Sequence, residues 1–367
     1  MTPPRRRARV ELTENLVESD EPDWYRPTSM IRIGFLGAGF IARYHAFQLA
    51  SCAEPHRVVA VHDPAAHRAE RFAEWQGCDA VDTIDEVLDG CDAVFVCTWT
   101  SEHLPAVRAA TQRGRAIFCE KPLSVDLANA TELADLVDQA GVVNEVGLVL
   151  RSVPALLALR ELIQAPESGR VMNVVFRDDQ FLPTQGMYRS TWRGDPARAG
   201  SGTLLEHSIH DLDILEWLFG PMRSVAAHTA HVHGIVGIED SVSALMRFES
   251  GASATLTSVW HDVLARPSQR RMEVFCERAL LTLEGDTFGP VHWQRDDDSG
   301  TLDGDDTGEW LTARGISTES AEETFLKAVA GSGVASPTVR DALRAHTVAD
   351  AVYRSAERGG TPVDVAP

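Results

Sequence analysis

The sequence predicts an α/β domain on a parallel, doubly wound sheet, followed by an α+β domain with a large, mainly antiparallel open sheet. Three observations predict this. Apolar strands alternate with helical patterns from residue 31 to about 150, and a glycine-bearing turn joins the first strand to the first helix. Beyond residue 150 strand candidates crowd together, with one prominent helix among them. A chain of 367 residues also exceeds the size at which one core keeps growing, so two domains are expected.

In order, "IRIGFLG" reads as a buried strand and "FIARYHAFQLAS" as the helix behind it. "HRVVAVHD" (56–63) is a second strand, followed by the helical "AAHRAERFAEWQG". "CDAVFVCT" (91–98) and "RAIFCEKP" (115–122) are the third and fourth, backed by helices at 101–114 and 125–141 before a strand "VVNEVGLVL". Apolar strands bounded by short polar turns call for a parallel sheet covered on both faces. The second region offers "VMNVVFRDDQFL", "SVAAHTAHVHG", "DSVSALMRFES", "GASATLTSVWHD" and "RRMEVFCERALLTLEG" as strands, with one helix at 203–220. "DDDSGTLDGDDTG" (296–308) reads as an exposed acidic loop, and helices close the chain near 318–331 and 337–358. The expected divisions are an arm (1–29), a nucleotide-binding domain (30–150), a substrate-binding and oligomerisation domain (151–336) and a C-terminal helix and tail (337–367).

The formal charge of −20 argues against nucleic acid or an anionic membrane as partner, and no run of eighteen apolar residues is present. The six cysteines show no CxxC spacing, so buried thiols in a reducing, cytoplasmic setting are expected. Residues 1–29 pair a basic cluster with acidic residues and prolines, without an apolar signal core. They read as a flexible arm, although Met30 stands immediately before the first strand as an alternative start.

Gly37, Gly39 and Ala42 form G-x-G-x-x-A between strand and helix. The first glycine permits the turn, the second lets the backbone approach a pyrophosphate, and the small third residue lets helix and strand pack closely. The helix N-terminus offers unpaired N–H groups to the phosphates. The confirming partner is an acid at the end of the second strand, and Asp63 stands 21 residues after Ala42. Its carboxylate suits a ribose diol and would repel a 2′-phosphate, while Pro64 and Ala65 offer no adjacent Arg, so NAD is favoured over NADP. The turn thus reads as a Rossmann cofactor cradle. "CEKPLS" (119–124) follows the fourth strand, where strand ends line the ligand crevice, and sets Lys121 there.

Taken together, "GFLGAGFIARYHA", "VCTWTSEH", "CEKPLS", "RSTWRGDPARAGSGTLLEHSIHDLDILEWLFG" and "IEDSVSALMRFESGASATL" resemble the Gfo/Idh/MocA family (glucose–fructose oxidoreductase, inositol dehydrogenase and relatives) from about residue 31 onward. The resemblance implies a two-domain NAD(P)-dependent oxidoreductase, with substrate between the nicotinamide and an open sheet. It implies cofactor contacts from Gly37, Gly39, Phe40, Ile41, Asp63, Thr98, Trp99, His103, Glu120 and Lys121, with a structural role as the alternative for His103. The family pattern G-G-G-x-L-x-D-x-G-x-H-x-x-D is met by Gly200, Gly202, Leu204, His210 and Asp213. Ser201 and Ser208 replace glycines, and Glu206 stands where the family has Asp. By resemblance, Lys121, Glu206 and His210 surround the reacting carbon.

Independently, Glu206 and His210 are four apart, which on a helix puts them on one face, where an acid raises a histidine's basicity. The expected reaction is reversible oxidation of a secondary hydroxyl of a sugar or cyclitol, with His210 as acid–base and Lys121 stabilising the alkoxide. Whether Glu206 touches substrate or only orients His210 stays open. Trp192 and Arg193 are substrate candidates or domain-packing residues, Trp99 a candidate gate to the pocket, and the resemblance alone implies that Asp240 orients a catalytic or sheet group. His207, Asp211 and Asp213, with His231 and His233, could space a divalent metal, but a core-capping role is preferred and no metal is expected. The alternatives are a sugar oxidoreductase that keeps its cofactor, a redox-neutral glycoside-cleaving enzyme of the same fold, and a non-enzymatic NAD sensor. A broad sheet face predicts a homodimer or homotetramer.

Overall fold

The computed structural model describes residues 30–186, 189–286 and 288–366, so the expected arm at 1–29 lies outside the described residues. The N-terminal unit alternates β1 (Ile31–Leu36), α1 (Phe40–Leu49), β2 (His56–His62), α2 (Ala66–Gln76), β3 (Asp79–Ala80), α3 (Ile84–Gly90), β4 (Ala93–Val96), α4 (His103–Gln112), β5 (Ala116–Cys119), α5 (Leu127–Ala140) and β6 (Asn144–Val146). All its strand pairs are parallel, in the order β3-β2-β1-β4-β5-β6, with the order reversing at β1/β4. β1, β4 and β5 are buried on both faces, and Phe35, Phe95 and Phe118 stack across the three strands with centroids 5.0 and 4.7 Å apart. This is a Rossmann domain, with a ligand crevice expected at the reversal.

The second unit follows with α6 (Pro154–Gln164), β7 (Val171–Phe181), α7 (Pro196–Ala199), α8 (Ile209–Phe219), β8 (Met222–Ala230), β9 (Ser241–Phe248), β10 (Ser253–His261), β11 (Gln269–Cys276), β12 (Leu280–Leu283), β13 (Val291–Gln294), β14 (Ser299–Leu302) and α9 (Gly304–Thr312). α10 (Ala321–Val329), α11 (Val339–Glu357) and β15 (Val363–Asp364) complete the chain. Its nine-stranded sheet runs β14-β13-β12-β11-β7-β10-β9-β8-β15 and is antiparallel except for β7 and β10 at its centre. Alternation along the middle of these strands turns Val174, Phe176, Ala254, Leu256, Met272 and Val274 inward, against the layer of α6, α8 and α11.

α10 packs Ala321, Phe325 and Leu326 into the core under β1, β4 and α1 of the Rossmann domain. α11 then returns to lie against α5, α8 and β8, and β15 pairs with β8 as the ninth strand. One core cluster therefore runs continuously through both units. The described cysteines are free thiols, four buried and two half-buried. No helix among the described residues is long and apolar enough to cross a membrane.

Several local features differ from expectation. The sequence reading has no counterpart for β3 or β15, each only two residues long, nor for α6, and it carries the strand of 142–150 past Val146, where β6 ends. The acidic stretch 296–308 is not a loop but holds β14 and the start of α9. The segment 203–220 is not one helix, because Thr203–His207 forms a π-turn in which Ser208 N donates to Thr203 O, and α8 starts only at Ile209.

Candidate active site

At the end of β1, Gly37 has φ of +95°, and a Cβ there would lie 2.4 Å from Cys97 O, so the turn tolerates only glycine. Gly39 has open space around its missing Cβ and caps α1 with no side-chain bond. The start of α1 therefore has no side-chain cap, as at a helix N-terminus that binds an anion, and Ala42 is buried where helix meets strand. Asp63 accepts from Ala38 N at 2.9 Å and from Ala65 N at 2.8 Å, which fixes its carboxylate beside the glycine turn. Phe40 is exposed and Ile41 half-buried at the head of α1. An open glycine, uncapped amides and an anchored acid at the strand end fit a dinucleotide.

Lys121 follows β5. Its Nζ donates to the main-chain carbonyl of Glu206 at 2.7 Å and lies 3.9 Å from the Glu206 carboxylate. Glu120 is buried, with Oε1 2.8 Å from His45 Nε2, and Oε2 accepting from Lys121 N at 3.1 Å. His45 Nδ1 meets Glu322 of α10 at 2.6 Å. Burial would depress this histidine, but the two carboxylates outweigh it and raise it to about 9. His103 is buried with Nδ1 on Pro122 O at 2.9 Å, and burial lowers its pKa. Glu120 and His103 thus lie inside the protein beneath the crevice, whereas Thr98 and Trp99 are half-buried in the loop after β4. Arg198 of α7 stacks over Trp99 at 4.0 Å, joining the two units at this loop.

The 200–213 motif enters from the other side. Gly202 is wedged against the chain, since a Cβ would come within 1.8 Å of Glu239 O. Glu239 anchors this segment by accepting from Gly202 N at 2.7 Å, Leu204 N at 3.0 Å and Tyr353 Oη at 3.0 Å. Both serine departures from the family pattern find partners. Ser201 donates to Glu239 Oε2 at 2.5 Å, and Ser208 to Asp178 Oδ2 at 2.7 Å. The π-turn separates Glu206 from α8, so the expected pairing of Glu206 with His210 along one helix face does not form. Glu206 accepts instead from Arg193 Nε at 2.5 Å, and Arg193 stacks over Trp192 at 4.7 Å. Burial would raise the Glu206 carboxyl, yet Arg193 and Lys121 hold it at about 2.

His210 is half-buried, and its Nδ1 has no hydrogen-bond partner. Its pKa is pushed well down, first by burial and then by Lys121 and Arg270, the reverse of the expected rise. A neutral imidazole stands beside a lysine charge, the arrangement a proton acceptor needs at neutral pH.

The residues spaced for a metal are bound elsewhere. Asp213 pairs with Arg151 at 2.5 Å, and Asp211 accepts from Arg270 Nε at 2.8 Å. His207 Nε2 lies 3.0 Å from Asp178 Oδ2, and His233 Nδ1 2.7 Å from Asp240 Oδ2. Asp240 also accepts from Val232 N and His233 N, so it orders that loop. Among the described residues no group of three His, Cys, Asp or Glu converges to hold a metal. Glu239, Asp178, Arg270, His45 and Glu322 escaped the sequence reading. Only His45 left a signal there, as a histidine among the buried Ala42, Ala46 and Leu49 of α1.

Comparison with known proteins agrees with this architecture. The profile of the oxidoreductase family with an NAD-binding Rossmann fold matches residues 31–148, and that of the GFO/IDH/MocA C-terminal domain matches 156–282. The chain belongs to the Gfo/Idh/MocA family. It is 28% identical over 350 residues to inositol 2-dehydrogenase of Rhizobium meliloti (strain 1021), covering 89% of this chain and 96% of that relative. It is 30% identical over 249 residues to scyllo-inositol 2-dehydrogenase (NAD(+)) of Bacillus subtilis (strain 168), covering 64% and 70%. Levoglucosan dehydrogenase in complex with NADH and levoglucosan superposes with a TM-score of 0.82 at 21% identity, over 92% of this chain and all of that one. The WlbA dehydrogenase of Bordetella pertussis with NADH and UDP-GlcNAcA gives 0.80 at 21%, over 92% and 98%. At that identity the two structures speak for the fold. As a Gfo/Idh/MocA protein, the chain is an oxidoreductase with an NAD-binding Rossmann domain.

Proposed function

We propose that the chain is an NAD-dependent dehydrogenase that reversibly oxidises a secondary hydroxyl of a sugar or cyclitol by hydride transfer. The observation that carries the reading is Lys121, fixed by its 2.7 Å bond to Glu206 O and placing its charge on a His210 that burial keeps neutral. The names of the inositol dehydrogenase relatives, and the levoglucosan bound by one structural neighbour, support a polyhydroxyl substrate.

Gly37, Gly39 and the start of α1 would hold the pyrophosphate, and Asp63 the adenosine ribose; its carboxylate favours NAD over NADP. NAD, when bound, supplies the hydride acceptor. His210 takes the hydroxyl proton, and the Lys121 ammonium stabilises the negative charge that develops on the oxygen; in reduction both act in reverse. Each contribution of this type is worth roughly 10²–10⁴-fold in rate. Glu206 binds Arg193 through its carboxylate and Lys121 through its main-chain carbonyl, and so places both cations rather than acting as the base. Trp192 and Arg193 border the substrate. Val175, Leu245 and Phe275 stand exposed on the outer sheet face and support a homodimer or homotetramer through it.

The test is absorbance of reduced cofactor during incubation with NAD⁺ and a panel of cyclitols, aldoses and sugar acids, with Lys121→Ala alongside. Reduction by one substrate class, lost in the variant, supports the reading. A flat panel moves weight to an enzyme that retains its cofactor or to a sensor.

A further inference from the structure

The turn that carries Lys121 has left the sheet, and beyond Glu120 N, which still donates to Val96 O at 3.0 Å, its main chain is held by side chains. Among the described residues, Lys121 N, Pro122 O and Leu123 N make no bond to another main-chain group. Each meets a buried side chain instead. Glu120 Oε2 accepts from Lys121 N at 3.1 Å, His103 Nδ1 donates to Pro122 O at 2.9 Å, and His346 Nε2 accepts from Leu123 N at 2.9 Å. The last of these comes from α11, 223 residues further along the chain. We propose that His346 is a positioning residue for Lys121, acting through the main chain of this turn.

Several observations support it. An amide N–H can only donate, so His346 must present an unprotonated Nε2, and burial holds it neutral by lowering it to about 3. A buried amide left without an acceptor costs about 1–3 kcal/mol, so the turn would shift rather than keep Leu123 N unpaired. α11 also packs on α8, the helix of His210, so one element locates both groups expected to flank the substrate oxygen. His346 lies beyond residue 282, where the match to the family profiles ends. Lys121 meets Glu206 O at 2.7 Å, and a displacement of about 1 Å at a reacting centre can cost 10²-fold in rate.

The inference rests on the proposed role of Lys121, and a double-mutant cycle separates the two. Wild type, Lys121→Ala, His346→Leu and the double variant are compared in single-turnover reduction of NAD⁺, with NADH affinity by fluorescence and melting temperature measured on each. His346→Leu is expected to slow turnover roughly 10- to 100-fold with NADH affinity unchanged. In the Lys121→Ala background the same change should have no further effect, because nothing is left to position. His346→Gln, which keeps an acceptor near the Nε2 position, should recover most of the rate. If His346→Leu does not fold, His346→Met, closer in length, takes its place in the cycle. Equal slowing by His346→Leu in both backgrounds, or none in the first, overturns the positioning role while leaving Lys121 in place. A Lys121→Ala variant at the wild-type rate overturns both.

Discussion

Lys121 reaches past the carboxylate of Glu206 to that residue's main-chain carbonyl, at 2.7 Å against 3.9 Å. The lysine is thereby held by a group that carries no net charge, which in the proposed reaction leaves its ammonium for a developing alkoxide. Lys121→Ala should lower kcat by about 10²–10⁴-fold and change NADH affinity little. Steady-state kinetics beside fluorescence titration check this, and a variant that binds NADH poorly but turns over normally would contradict it.

His210 is held below its ordinary value of about 6.5 by burial and then by Lys121 and Arg270. A base of lowered pKa keeps its reactive, neutral form through neutrality and loses it only on stronger acidification. In the oxidation direction kcat/KM should be flat near pH 7, with its acid limb below about 6.5. A limb at or above neutrality that disappears in His210→Asn would show the imidazole to be charged at rest.

Asp63 accepts two main-chain N–H groups beside the glycine turn. Asp63→Ser removes the charge that opposes a 2′-phosphate, a repulsion worth several kcal/mol between close like charges. The ratio of kcat/KM for NADP to that for NAD should rise at least about tenfold, with some loss of overall cofactor affinity because the turn loses its anchor. An unchanged ratio would remove Asp63 from the ribose site.

His45 sits between Glu120 and Glu322 and is raised to about 9, against about 6.5 in an unfolded chain. Its folded pKa lies above its unfolded one, so its contribution to stability is complete below about 6.5 and is lost as pH rises through about 9. Nitrogen NMR of the ring should find both nitrogens protonated at pH 8, and a neutral ring there would refute the pairing.

Gly202 has no room for a methyl group, since its Cβ would press on Glu239 O at 1.8 Å. Gly202→Ala should destabilise the protein by about 1–3 kcal/mol or more and displace the π-turn with Glu206. Chemical denaturation together with turnover measures both.

The repeating elements were legible because they follow local periodicity. Gly37, Gly39 and Asp63 stood out because a nucleotide turn needs those residue types at that spacing. What escaped depends on contacts far apart in sequence. Ser208 continues an apparently helical pattern, yet in the fold its hydroxyl bonds Asp178 of β7 and Ser258 of β10 at the point where the π-turn ends. That break undoes the four-residue argument for Glu206 and His210, which holds only inside a regular helix. Arg193, thirteen residues before Glu206, supplies the partner instead. Buried histidines at 45, 103 and 346 look like isolated residues until the 120–124 turn brings their partners together.

The path of the last fifty residues bears on how the protein comes apart. α10 completes the core of the first unit with Phe325 and Leu326, and the chain then crosses back so that β15 borders the sheet of the second. A fragment ending near residue 150 would lack those side chains and expose the aromatic stack they cover. Because the two units share one core, heat or denaturant is expected to melt them in a single transition. Access to the crevice then falls to local loops such as that of Trp99 rather than to wholesale hinging of one unit away from the other.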